Sequence, residues 1–130
     1  MRLAAVVLMA CFAPAAAFGG EAMTGPEAEA MLNGATAWYV PFGPQSARQY
    51  FDANGQTTYI DTAGARTSGL WLMRGDQYCS LWPPSDQYRC YGVEKTVSVD
   101  GTPTITFTSG ASHYEAVLKQ GAHIDEPQGG

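Results

Sequence analysis

The chain has 130 residues, with 7 Lys and Arg against 12 Asp and Glu and a formal net charge of −5. The acidic groups are scattered and no basic patch interrupts them, which excludes the electrostatic footprint of a nucleic-acid binder or of a protein held on an anionic membrane. A chain of this length makes one domain that hides about two thirds of its unfolded surface, so a covalent staple contributes noticeably to its stability.

The first residues read Met-Arg-Leu-Ala-Ala-Val-Val-Leu-Met-Ala-Cys-Phe-Ala-Pro-Ala-Ala-Ala-Phe. Arg2 is a minimal positive start, residues 3–13 form an apolar run, and Ala15-Ala16-Ala17 fits the small-x-small cleavage rule of a secretory signal peptide. The run is much shorter than the roughly 20 residues of a membrane-spanning helix, and no later segment qualifies. The expectation is a signal peptide over 1–17, a single β-rich domain over 18–130 and a periplasmic or secreted location. An alternative is lipidation at Cys11, since Leu8-Met9-Ala10-Cys11 has the form of a lipobox.

Residues 18–22 read as a loose linker. In Met-Thr-Gly-Pro-Glu-Ala-Glu-Ala-Met-Leu-Asn-Gly (23–34), Thr24 is a natural N-cap, Pro26 sits in the first turn and Glu27 completes a capping box. Ala28, Met31 and Leu32 give one apolar stripe, and Gly34 stops the helix. Strands follow. Residues 35–40 are β-branched and aromatic and end at Pro41-Phe42-Gly43-Pro44. Residues 47–52 and 56–61 flank Ala53-Asn54-Gly55, a strong hairpin signal. Residues 69–73 and 77–82 flank Gly75-Asp76, 87–95 follow a Pro-Pro turn, and 102–108 and 112–119 flank Ser109-Gly110. One short N-terminal helix followed by about eight antiparallel strands predicts a mainly β fold, a small barrel or sandwich of lipocalin-like or half-barrel type. The tail, 121–130, is expected to fray.

Loss of the signal peptide leaves Cys79 and Cys90, an even pair in an oxidising compartment and therefore a disulfide. Metal binding lacks ligands, because His113 and His123 are distant and no Cys-x-x-Cys occurs. A two-residue turn at Gly75-Asp76 pairs Met73 with Tyr78, Leu72 with Cys79, Trp71 with Ser80 and Leu70 with Leu81. A turn centred on Pro84-Ser85 pairs Trp82 with Gln87, Leu81 with Tyr88 and Cys79 with Cys90, placing the cysteines opposite each other.

Alternation then sorts this region into two faces. Leu70, Leu72, Cys79, Leu81, Tyr88 and Cys90 look like an interior. Trp71, Met73, Tyr78, Ser80, Trp82, Arg89 and Tyr91 form an aromatic, amphipathic face. Trp71, Tyr78, Trp82, Arg89 and Tyr91 are candidates for a recognition surface, since Trp, Tyr and Arg dominate binding hot spots. The expectation is that packing by the helix or by the barrel's own wall covers the rings instead.

Arg74-Gly75-Asp76 spells an integrin-type tripeptide, but its place at a hairpin turn accounts for it. A nucleophile needs a base within reach. His113, expected beside Thr106 on the polar face, and His123, in the tail, do not supply one. The aspartates sit mostly at turns, where backbone reasons favour them. The reading is a non-enzyme without cofactor: a module that binds an unidentified protein or small molecule or serves in the envelope.

Gly69-x-Trp71, Gly75-Asp76-x-Tyr78-Cys79-x-x-Trp82 and Cys90-Tyr91-x-Val93, together with the Thr24-Gly25-x-Glu27 helix start, resemble a group of small exported bacterial β-meander proteins of unknown function. That resemblance implies the fold and the disulfide, and no activity. Ser109 to Tyr114 and Lys119-Gln120-Gly121 resemble the Ser-Gly-rich loop and Lys-Gly element of periplasmic C-type lysozyme inhibitors, whose cysteines lie nearer the two domain ends. This second resemblance implies lysozyme as partner, with Ser109 and Lys119 reaching into its cleft.

Overall fold

A computed structural model describes residues 20–126. The expected signal peptide, the alternative lipidation site Cys11 and the last four residues of the tail lie outside the described residues. The stretch read as a linker contains a short strand, β1 (Glu21–Ala22), whose residues pair with Lys95 and Glu94. Its two residues have no side-chain pattern of their own, and only the free edge opposite makes them a strand.

Helix α1 (Gly25–Leu32) forms where the capping box places it. Thr24 Oγ1 accepts the Glu27 amide and Glu27 Oε1 accepts the Thr24 amide, each at 3.3 Å. Asn33 ends the helix, and Gly34 takes the left-handed conformation (φ +76°) that a residue without Cβ enters at little cost. Asp76 in the β-turn across the molecule accepts the Gly25 amide at 2.7 Å, bringing a carboxylate to the positive end of the helix. Ala28 and Leu32 are completely buried.

Eight strands follow: β2 (Ala35–Tyr39), β3 (Arg48–Phe51), β4 (Gln56–Ile60), β5 (Arg66–Arg74), β6 (Gln77–Leu81), β7 (Arg89–Val97), β8 (Pro103–Ser109) and β9 (Ser112–Gln120). Each pairs antiparallel with the next, and β9 returns to pair with β2, from Ala35 with Gln120 to Tyr39 with Ala116. The meander is therefore a closed up-and-down barrel rather than a sandwich. Closure removes the sheet edges that eight strands would otherwise expose. β1 extends the wall along β7 beyond the point where β6 leaves it.

The Gly75-Asp76 register is as expected, from Leu70 with Leu81 to Arg74 with Gln77. Cys79 lies opposite Cys90 and the two form a disulfide, with Cα atoms 4.0 Å apart. The β6–β7 ladder stops at Ser80 with Arg89, so the expected pairs Leu81–Tyr88 and Trp82–Gln87 do not form. Pro83 and Pro84 have no amide to offer a ladder. The chain closes instead through the Ser85 amide on the Trp82 carbonyl (3.0 Å) and the Gln87 amide on Ser85 Oγ (3.2 Å).

At the last hairpin the turn residues are Gly110 and Ala111, which pairs Thr108 with His113 rather than Thr106 with His113. Moving the turn by one residue shifts the register by two, so His113 keeps the outer face it was expected to have.

Residues 121–126, expected to fray, lie against the outer wall. The His123 amide donates to Thr36 Oγ1 at 2.9 Å, Trp38 Nε1 donates to the Glu126 carbonyl at 3.2 Å, and Arg66 pairs with Asp125. Trp38 is buried on the outside of the barrel beneath this strap. Its indole gives the segment an apolar surface that the polar tail sequence does not advertise.

Packing inside the barrel covers Trp71 and Tyr78, as expected, but the face read as interior, Leu70, Leu72, Cys79, Leu81, Tyr88 and Cys90, lies on the outer wall. Trp71, Tyr78 and Val93 point into the barrel with Phe51, Ile105 and Phe107. The aliphatic and cysteine set forms the outer wall, where Leu70 is 44% exposed. An eight-stranded barrel encloses a space that side chains must fill, and large rings fill it better than aliphatic side chains do. The disulfide needs only two adjacent strands and can lie on either face.

Candidate ligand cavity at the barrel mouth

The interior is divided along the barrel axis. At one end α1 closes the barrel: Leu32, Ala28 and Met23 pack onto Phe51, Trp71 and Val93. Trp71 stands edge-on to Phe51 (centroids 5.5 Å apart, 78°), and its Nε1 donates to the Asp52 carbonyl at 2.8 Å. At the other end, where β2, β4, β6 and β8 finish, a cavity of about 580 Å³ opens to solvent. That volume is within the usual range of small-molecule sites.

Strand alternation aims the lining. Tyr39, Gln49, Tyr59, Thr67, Tyr78, Ser80, Tyr91, Phe107 and Tyr114 are inward positions of eight consecutive strands, and Trp82 follows β6 in the same phase. Their rings are in serial contact. Trp82 meets Tyr59 edge-on at 6.2 Å, Tyr59 meets Tyr39 at 6.3 Å, and Tyr39 meets Phe107 at 6.4 Å. Phe107 lies 4.8 Å from Tyr78, Tyr78 lies 6.0 Å from Tyr91, and Tyr91 meets Tyr114 edge-on at 6.0 Å.

The floor is polar. Gln49, only 4% exposed, is bonded through both ends of its amide: Oε1 accepts Tyr39 Oη–H at 2.7 Å, and Nε2 donates to Thr57 Oγ1 at 2.9 Å and to Tyr78 Oη at 2.8 Å. Trp82 Nε1 donates to Ser80 Oγ at 3.1 Å. Burial pushes the Tyr78 phenol up to about 12, partly opposed by hydrogen bonds from Ser80 and Gln49. Burial also raises Tyr39 well above the ordinary phenol value, with the neighbouring Tyr78, Tyr59 and Tyr91 adding to it. Both therefore stay neutral. Glu115 and His113 border the cavity by position, but alternation turns their side chains outward, where Glu115 Oε2 accepts Thr104 Oγ1 at 2.7 Å. No other residue that borders the cavity carries a charge.

The candidate recognition face is thus split between two depths. Trp71 (6% exposed) and Tyr78 (3%) are core, with Tyr78 reaching the cavity floor. Trp82 and Tyr91 are half-buried in the cavity wall, and Arg89 is exposed and does not border it. Tyr39, Gln49, Tyr59, Phe107 and Tyr114 were not among the sequence candidates. Period-two alternation in 35–40, 47–52, 56–61, 102–108 and 112–119 carries their signal, but only closure of β9 on β2 brings them opposite Tyr78 and Trp82.

Ser109, at the end of β8, and Lys119, near the end of β9, are held at opposite ends of the barrel. Ser109 pairs with Ser112 at the mouth, and Lys119 pairs with Thr36 near the helix. Ser112 and Lys119 stand seven residue steps apart along the strand, roughly 23 Å. His123 Nδ1 meets Glu126 at 3.0 Å in the outer strap, remote from the cavity. Asp76, the third residue of the integrin-type tripeptide, is engaged with the helix start.

Among the described residues no three His, Cys, Asp or Glu side chains cluster to hold a metal ion, and no helix is long and apolar enough to cross a membrane. The fold and cavity define a small up-and-down β-barrel, plugged at one end by a helix and open at the other. No protein-family model matches the chain, and comparison with curated proteins and with solved structures finds no match.

Proposed function

We propose that this is an exported, non-catalytic module that binds a small organic molecule in the mouth of its barrel. The observation that carries the reading is the open, ring-lined cavity of about 580 Å³, closed below by α1 and a hydrogen-bonded polar floor. A barrel whose only task was to be stable would fill that space, because empty apolar volume forfeits packing contacts. Export is supported by the signal-peptide pattern of residues 1–17 and by the Cys79–Cys90 bridge, which suits an oxidising compartment. Binding rather than catalysis is supported by the lining itself, where phenols held neutral offer no nucleophile paired with a base.

Thermal unfolding against a panel of small neutral and charged ring and chain compounds tests the proposal. A ligand at a hundred times its Kd adds about 2.7 kcal/mol and raises Tm by several degrees. Thr67→Trp, at an exposed wall position, should fill the mouth and abolish the shift while leaving the unliganded protein folded. If no compound raises Tm, or if Thr67→Trp responds as the parent does, the cavity is not the binding site.

A further inference from the structure

The hydrogen-bond inventory of the cavity floor specifies what the ligand must bring. Tyr78 Oη and Ser80 Oγ are neighbours in the wall, 3% and 4% exposed. Each oxygen already accepts an N–H, from Gln49 Nε2 at 2.8 Å and from Trp82 Nε1 at 3.1 Å. The two hydroxyls carry two protons. A bond between them would use one, so at least one O–H lacks an acceptor among the described residues, although buried polar hydrogens almost always have one. The Gln49 amide does not take that proton: its oxygen is bonded to Tyr39 Oη–H, and it faces Tyr78 with its nitrogen, whose two protons go to Thr57 and Tyr78.

The unused capacity of the floor is therefore a donor, and its complement is an acceptor oxygen on the ligand. Charge narrows the class further. No Lys or Arg borders the cavity, and an anion drawn into it would meet the negative faces of aromatic rings without a counter-ion. A serial wall of rings 4.8–6.4 Å apart offers stacking and edge-to-face contacts to a flat ligand that an alkyl chain cannot exploit.

We propose that the ligand is an uncharged ring compound that presents a carbonyl or ether oxygen to the Tyr78–Ser80 hydroxyl pair. This rests on the ligand-binding reading above and gives it a chemical class. The wild-type protein and four probes test it by calorimetric titration: 2-acetylnaphthalene, 2-isopropenylnaphthalene, 2-naphthoate and decanoate. The first two have nearly the same shape and differ in exchanging C=O for C=CH₂. The third adds a charge to the same ring, and the fourth replaces the ring with a chain.

The acetyl compound should bind most tightly. Its isopropenyl counterpart should bind about tenfold more weakly, the ratio expected when a buried donor is left unpaired. Naphthoate and decanoate should be weaker still. Equal affinity for the acetyl and isopropenyl compounds would overturn the acceptor assignment. Naphthoate or decanoate binding as tightly as the acetyl compound would overturn the uncharged class while leaving the cavity a binding site. Failure of all four to bind would overturn the ligand-binding reading, and this inference with it.

Discussion

Gln49→Leu tests the cavity floor directly, because it keeps the side-chain volume and removes every hydrogen bond of the amide. Tyr39 Oη–H then loses its acceptor in an enclosed site, at a cost of about 1–3 kcal/mol. Tyr78 Oη and Thr57 Oγ1 each lose a donor, at about 0.5–1.5 kcal/mol apiece. Thr57 keeps its own donation to the Tyr50 carbonyl at 2.8 Å, so its share lies at the low end. Burial of the leucine side chain offsets about 1–2 kcal/mol. The net expectation is destabilisation by about 2 kcal/mol. In urea this should appear as a lower midpoint at unchanged m, since the surface exposed on unfolding is nearly the same.

The second half of the test is a rescue. Tyr39→Phe in the Gln49→Leu background removes the orphaned hydroxyl, and the double variant should be more stable than Gln49→Leu alone by about 1 kcal/mol or more. Tyr39→Phe in the parent should be destabilising. A double variant no more stable than Gln49→Leu alone would refute the argument that the floor is held by a satisfied amide network.

Gly25→Ala should destabilise strongly, because an added Cβ would stand 2.0 Å from the Gly75 carbonyl oxygen, a backbone atom that can yield only by moving the helix off the barrel. Chemical denaturation measures this, and a cost below about 1 kcal/mol would show that α1 is not seated as described. Replacing Cys79 and Cys90 together by serine should lower stability by about 3 kcal/mol, from the short loop they close, with the strand register retained in the amide exchange pattern. Stability should fall at both pH extremes. Burial raises Tyr78 to about 12, so its contribution is complete below the ordinary phenol value of 10 and is lost as pH rises from there through about 12, followed by tyrosinate absorbance. The Lys95 ammonium and the Thr24 amide hold Glu27 below the ordinary carboxylate range. Its contribution is present above that range and disappears as pH falls through the lowered value, and Glu27→Gln should flatten the acid limb.

Local chemistry made much of this fold legible in the sequence. A capping box specifies a helix start by which groups can reach which amides, so Thr24, Glu27 and Gly34 mark α1 with no knowledge of the barrel. Turn residues fix the register of the strands they join, so Gly75-Asp76 set the β5–β6 pairing and a turn centred on Pro84-Ser85 placed Cys79 opposite Cys90. The disulfide and the up-and-down order follow from interactions between near neighbours in the chain. Where the turn chemistry was ambiguous, at Pro83-Pro84 and at Ser109-Gly110-Ala111, the register stopped early or moved by two.

Other features depended on contacts between residues far apart in sequence, and only the tertiary structure decided them. Alternation shows that Leu70 and Trp71 lie on opposite faces, but it carries no sign, and either face of a hairpin can be the concave one. Closure of β9 on β2 sets that sign, because once the ring is shut the inward positions must fill a fixed volume and rings take it. The same closure gathers Tyr39, Gln49, Tyr59, Phe107 and Tyr114 around Tyr78, Ser80 and Trp82, although none of their strands pairs with β6. A cavity is a property of what surrounds it, so no single stretch of sequence encodes the mouth of this barrel. It exists because eight strands meet and α1 fills only the far end.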